Sequence, residues 1–427
     1  MIVLVYLLNV ALLLGLGWLL FKQSWAQILK PYLFPALGLK LVCGILLGLL
    51  YFHYYGEGDT ITYFNASQKL TQLARDDAGA YWRLLLLNEF PSESFKESVP
   101  FTRFADFSNS FFLLKVISLF NLLTGSSYYL IGLYFSLFSF WGMARLAATL
   151  SIVFPDTKKA AIVALLFFPS VVFWSSGLLK DAVLMGSMCW AMAFVLQLAH
   201  QQKQAIATWL LLPLQLYLFV KIKIFFAALL LFLLGSYLLI IWLSRTMKLL
   251  QTITAQLQTL AGFIVLAGTI VWQISGIFSL GFILHHLVKT YDGLLALSLG
   301  GPHLSYSSLE STIPSIFSNS PKAFFSAIYR PFIGESSEVL YLLLGLENLF
   351  LLALTIIAIV SAFSKSWLQH IKLWHVILML FIVASAIVIG ISTPNFGTLS
   401  RYRIIFLPFL VYLLLQNRFA QRWLVKM

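Results

Sequence analysis

The chain has 427 residues, of which 60% are hydrophobic and 10% charged. A soluble protein keeps about a quarter of its residues charged, so this composition excludes a soluble domain and indicates a polytopic membrane protein. A formal charge of +13 raises nucleic acid as a partner, but the placement of the cations along the chain removes that reading.

Segments of about 17–25 apolar residues can cross a bilayer. Eleven are read: 1–22, 32–55, 127–150, 159–176, 181–199, 205–220, 224–243, 258–276, 338–363, 373–392 and 403–417. Met1 to Phe21 has no basic start and is too long for the apolar core of a signal peptide, so it reads as a first transmembrane helix. Ser110 to Leu123 is apolar but short, and reads as a re-entrant or surface-lying helix. Cys43 and Cys189 fall inside apolar segments and read as small core hydrophobes.

Orientation follows from Lys and Arg. The loops around Lys22–Lys30, Lys158–Lys159, Lys203, Arg245–Lys248 and Lys365–Lys372, and the tail Arg418–Lys426, are placed on the cytoplasmic side. Lys40 and Arg145 are counted with them. That side then carries one acid, Asp156, and the whole excess of +13. The N-terminus falls outside and the C-terminus inside. The expected fold is all-α: a single transmembrane domain over 1–427 with about 11 transmembrane helices. It carries two long extracytoplasmic loops, 56–126 and 277–337. Amphipathic stretches Ile61–Leu73 and Tyr81–Leu87 in the first loop, and Leu280–Tyr291 and Pro321–Tyr329 in the second, read as short surface-lying helices.

The ionisable residues of the extracytoplasmic face carry the chemistry. In Tyr54-Tyr55-Gly56-Glu57-Gly58-Asp59-Thr60 two carboxylates are flanked by glycines where a span meets a polar loop. One carboxylate can act as a general base toward an attacking hydroxyl. The other can position it, or share a divalent cation, Mg or Mn, with it. The alternative is a hydrated loop at a helix end. Trp174-Ser175-Ser176-Gly177-Leu178-Leu179-Lys180-Asp181 is a short turn after Pro169, which is expected to kink or interrupt its span. There Lys180 can bind a phosphate and Asp181 can orient it or act in catalysis, or the two can cap the following helix. Lys221 and Lys223 either reach lipid headgroups or face a buried anion.

Arg330, in Tyr329-Arg330-Pro331-Phe332, suits a phosphate by its planar fork. Glu347 lies inside an apolar span, as a functional carboxylate or as the partner of an Arg or Lys. Arg401 and Arg403 flank Tyr402 at the start of the last span, suited to a pyrophosphate or to anchoring at the interface. His285, His286 and His303 lack the further ligands that a metal site needs. No P-loop, Rossmann fingerprint, GxSxG elbow or HExxH is present.

These pieces together resemble the GT-C class of membrane glycosyltransferases. Glu57 and Asp59 stand where that class has its acidic motif, at the start of a large first outer loop, although here the loop follows the second span. Phe168-Pro169-Ser170, Trp174 to Asp181, Arg330-Pro331-Phe332 and Arg401-Tyr402-Arg403 are similar to segments of bacterial cell-surface polysaccharide membrane proteins. The resemblance implies a bacterial inner (plasma) membrane enzyme with its active site on the extracytoplasmic side. It implies a polyprenyl-phosphate-linked sugar as donor, a glycan or lipid as acceptor, and membrane lipids as surroundings. The acids would activate the acceptor and the cations would hold the lipid phosphate. A polysaccharide polymerase or ligase acting on a lipid pyrophosphate-linked glycan, and a lipid-linked sugar transporter or flippase, are the alternatives.

Overall fold

The computed structural model describes residues 2–274, 276, 279–362 and 371–426, and no strand occurs among them. Of the loops and spans assigned above, residues 1, 275, 277–278, 363 and 365–370 lie outside them.

The helices in chain order are α1 (Ile2–Phe21), α2 (Lys30–Leu49), α3 (Asp59–Asp76), α4 (Ala78–Leu87), α5 (Glu93–Ser98), α6 (Asn109–Thr124) and α7 (Tyr128–Val153). There follow α8 (Lys158–Ile162), α9 (Pro169–Trp174), α10 (Lys180–Ala199), α11 (Ile206–Ile222), α12 (Ile224–Thr246) and α13 (Ile253–Gln273). The last are α14 (Leu280–Ala296), α15 (Ile313–Tyr329), α16 (Val339–Ala362), α17 (Leu373–Ser392), α18 (Phe396–Tyr402), α19 (Leu407–Leu414) and α20 (Arg418–Lys426). Many starts are set by short polar side chains that accept from the first-turn amides, such as Asp77 for α4, Ser108 for α6 and Asn395 for α18. The four stretches expected as surface helices all form, within α3, α4, α14 and α15.

Eight helices among the described residues are long and apolar enough to cross a membrane, or nine if one bent pair counts as a span. The difference from eleven lies in three segments. Residues 159–176 are not one helix: α8 runs into a π-helical turn, Val163–Phe167, the backbone extends at Phe168, and α9 restarts at Pro169. Proline suits a helix start and disfavours helical backbone at the residue before it, so the break falls at Phe168. Residues 205–220 form α11, 17 residues long with Pro213 inside it. Residues 403–417 belong to Phe396–Ile405 and Leu407–Leu414, bent by 68°.

The chain divides into two compact units. Unit 1 is Met1–Thr149, Val172–Ala193 and Ala205–Ala227; unit 2 is Leu150–Val171, Phe194–Gln204 and Ala228–Met427. In unit 1, α3 packs along α6. Buried polar groups pair across this seam: Asn121 Nδ2 donates to Ser67 Oγ at 2.9 Å and to Thr71 Oγ1 at 3.0 Å; from α4, Tyr81 Oη meets Ser118 Oγ of α6 at 2.9 Å. Such bonds matter in an apolar interior, where an unmet polar group is costly. Helices α7 and α10 touch backbone to backbone at Gly142 and Gly186: a Cβ on Gly142 would stand 2.0 Å from the Gly186 carbonyl oxygen. In unit 2, α15 packs along α17 with a similar contact, Gly390 against Ala323.

Two cations counted above with the cytoplasmic face lie buried within unit 1. Lys40 lies in the middle of α2 and is 1% exposed; its Nζ donates to Ser175 Oγ, and to Val172 O at 3.4 Å. Arg145 is 6% exposed in α7 with its guanidinium 4.4 Å from the Trp190 ring. Each side chain finds its polar or aromatic partner on another stretch of unit 1, so it need not reach water. Both cysteines are free and buried.

Candidate functional site

Unit 1 gathers the acidic loop and two basic turns around the start of α6. Helix α2 continues through a π-helical turn, Leu50–Tyr55, and is stopped by Gly56 at φ 71°. Gly58 follows at φ 132°, and a Cβ there would sit 2.8 Å from the Tyr51 ring. Both backbone conformations favour glycine, and at Gly58 a side chain would also collide with Tyr51. Glu57 and Asp59 are exposed, and Asp59 opens α3, where a carboxylate is favoured by the helix dipole.

Thr60, the next residue, is fully buried and fixes the loop. Its Oγ1 donates to Leu178 O at 2.7 Å and pairs with Tyr128 Oη at 2.8 Å. Leu178 belongs to the second predicted segment, so this bond joins Glu57–Asp59 to the turn that ends in Lys180. The turn is itself wedged: Gly177 has φ 67°, its N–H donates to Ser136 Oγ at 2.8 Å, and a Cβ on it would meet Leu47 at 2.6 Å.

Lys180 is part-exposed at the start of α10. Its Nζ donates to Asn109 Oδ1 at 3.1 Å and Ser110 Oγ at 2.9 Å, and lies 4.9 Å from the centre of the Tyr63 ring. Asp181 is 2% exposed in the first turn of the same helix. The amide nitrogen of Asn109 donates to Ile222 O at 2.9 Å, which draws in the Lys221–Lys223 turn. Lys221 Nζ donates to Asp106 O. Asn109 thus joins two segments that the sequence could only name separately. It was missed there because Ser108-Asn109-Ser110 reads as a polar helix end; three hydrogen-bonding side chains opening an apolar helix were the signal. Lys115, one turn further along α6, donates to Leu85 O at 2.9 Å and to Asn88 Oδ1 at the end of α4.

Unit 2 holds the arginines. Arg403 is fully buried: Nη2 donates to Glu347 Oε1 at 2.9 Å, and Nη1 to Asn348 Oδ1 and, at 3.2 Å, Ile328 O. Glu347 also accepts from Ser170 N at 2.9 Å, so the intramembrane carboxylate has both an Arg and a helix start as partners. Asn348 Nδ2 donates to Pro331 O at 2.8 Å, in the segment where Arg330 pairs with Glu335 and stacks on Phe396 at 4.6 Å. Arg401 is 7% exposed and lies against Tyr402. The candidates therefore fall into two sets: Glu57, Asp59, Lys180, Asp181, Lys221 and Lys223 in unit 1, and Arg330, Arg401 and Arg403 in unit 2.

Among the described residues no group of three His, Cys, Asp or Glu side chains is placed to hold a metal ion. Glu57 and Asp59 alone do not make an all-protein site, and an Mg or Mn ion there would need further oxygens from a phosphate or water. His286 stacks on Phe282, and burial, Lys289 and His285 all push its pKa below the usual value. Compared with protein families, with curated proteins and with solved structures, the chain gives no match.

Proposed function

We propose that the chain is a membrane glycosyltransferase that moves a sugar from a polyprenyl-phosphate-linked donor to an acceptor hydroxyl at the extracytoplasmic face, in cell-surface glycan assembly. One observation carries the reading: the Thr60–Leu178 bond joins an exposed pair of carboxylates to a lysine turn in one unit. A base and a phosphate-binding cation are the two groups that this transfer needs.

In the proposed step, Glu57 or Asp59 takes the proton of the acceptor hydroxyl. The oxygen forms a bond to the anomeric carbon as the bond from that carbon to the phosphate oxygen breaks. The leaving polyprenyl phosphate keeps the electron pair, and Lys180 meets its developing charge. Lys221 and Lys223 extend the positive edge toward the headgroup. Arg403, fully buried on Glu347, acts in this reading as an internal brace, whereas Arg330, part-exposed, remains a candidate for phosphate.

The broken segment of α8 and α9 favours a second reading, a transporter of lipid-linked sugars, because discontinuous helices build such sites. The exposed end of that break is already taken: Glu347 occupies the start of α9. The purified chain, reconstituted with polyprenyl-phosphate-linked sugars and candidate acceptors, should make the glycosidic bond and release polyprenyl phosphate. Movement of the lipid-linked sugar across vesicles with no bond formed would overturn the transferase reading.

A further inference from the structure

A cavity in unit 2 has no part in the proposed transfer. It measures about 550 Å³ and lies between the end of α10 and the second half of α12, walled by Leu198, Gly235, Leu238, Leu239, Trp242 and Arg245. This is within the range of about 300–1,000 Å³ for small-molecule pockets. The wall is almost wholly apolar except at one end. There Arg245 closes α12, and its Nη2 donates to Ala199 O at the end of α10. A guanidinium carries five N–H groups, so one bond leaves most of the fork able to take another acceptor. Gln201 and Gln202 line the same end.

The surroundings of that end are positive. His200 Nε2 pairs with Tyr237 Oη at 2.9 Å and its ring meets Phe154 edge to face at 5.9 Å. Lys372 Nζ lies 4.9 Å from the centre of the same Phe154 ring. Burial lowers the His200 pKa first, and the two charges that reach it, Arg245 and Lys372, lower it further. Trp242 is 57% exposed one turn before Arg245, the position that an indole takes at a membrane interface.

We infer that this cavity is a binding site for an anionic phospholipid, with an acyl chain in the slot between α10 and α12 and the headgroup phosphate on Arg245, with Lys372 nearby. An apolar groove on a membrane helix pair takes up lipid tails, and basic groups at its mouth select the headgroup charge. A soluble phosphate would use the cations but leave the slot empty. The site is independent of the transfer reading, since neither the acidic loop nor Lys180 takes part.

The test uses the full chain, purified in detergent and stripped of lipid, with native mass spectrometry and thermal unfolding as readouts. Phosphatidylglycerol should bind more tightly than phosphatidylcholine of the same chains. Arg245→Gln should cut that preference about fivefold, the worth of one cation near a lipid surface. Gly235→Leu should reduce retention of both lipids, because a side chain there enters open space. Inorganic phosphate should not displace the lipid. Lys372→Gln, at the start of α17 and in neither helix of the slot, should weaken the preference if Arg245→Gln fails to fold. Equal binding of the two lipids by the unaltered chain, full retention in Gly235→Leu, or complete displacement by inorganic phosphate would overturn the site.

Discussion

Lys180 in unit 1 and Arg403 in unit 2 are both cations at helix starts or bends in an apolar chain, yet they are built for different work. Lys180 is part-exposed, rests on Asn109, Ser110 and Tyr63, and stands beside a loop whose acids face solvent. Arg403 is fully buried, and Glu347 and Asn348 hold its guanidinium. Depth decides the role. A part-exposed cation can exchange water for an arriving phosphate, whereas a buried ion pair cannot open without leaving an uncompensated charge.

The comparison is sharpened most by the acids of unit 1. Glu57→Gln and Asp59→Asn should each be made, and the one that removes the base should lower transfer on the order of 10²–10⁴-fold, the usual worth of a general base. The thermal midpoint should change little: both side chains are exposed, and the charge of Asp59 at the start of α3 contributes only about 0.3–1 kcal/mol. In unit 2 the opposite pattern is expected. Glu347→Ala strands Arg403 and should cost about 3–5 kcal/mol of stability, read as a lowered midpoint or loss of monodisperse protein. Replacing both partners with apolar residues, Glu347→Leu with Arg403→Met, should recover much of it. If Glu347→Ala left the midpoint unchanged and abolished only transfer, the contrast would be broken.

Smaller effects test the joints of unit 1. Thr60→Val keeps the shape but strands the Leu178 carbonyl and the Tyr128 hydroxyl, at a cost of about 1–3 kcal/mol. Transfer should fall further than stability alone explains, since this bond sets the loop against the lysine turn. Asn109→Ala should lower transfer about tenfold, on the order of the loss of one hydrogen bond to a charged group, and raise the KM for the phosphorylated donor. The smallest effect is a pH dependence in unit 2. The folded His200 pKa lies below its unfolded value near 6.5, so the unfolded chain binds more protons below that pH. Stability should fall as the pH drops through 6.5 and below, and His200→Gln should flatten the slope.

Much of the architecture was legible because it is written in local pattern. Apolar runs located the eight helices long enough to cross a membrane, whereas the caps Asp77, Ser108 and Asn395 emerged only from the structure. Pro169 announced a break, although not that a π-helical turn would precede it. The helicity of the four amphipathic stretches followed from their spacing, although three of them run on into helices of 17–18 residues. What stayed hidden depends on partners far apart in the chain. Lys40 and Arg145 were assigned to a surface because hydropathy does not see Ser175 or Trp190 coming to meet them. Glu347 was left between function and pairing, and its partner lies 56 residues away. Asn109 carried no motif of its own; its importance comes from having both an acceptor and a donor on one amide.

The glycine contact between α7 and α10 has a dynamic consequence. With Gly142 set against the Gly186 carbonyl and the Phe138 ring over Gly186, a side chain on either glycine would force the two rods of unit 1 apart. Lys180, at the head of one rod, therefore depends on this contact for its place relative to the other. In the proposed transfer, a donor would be admitted by yielding of the lighter pieces, the Gly56–Gly58 bend and the polar ends of α3 and α6.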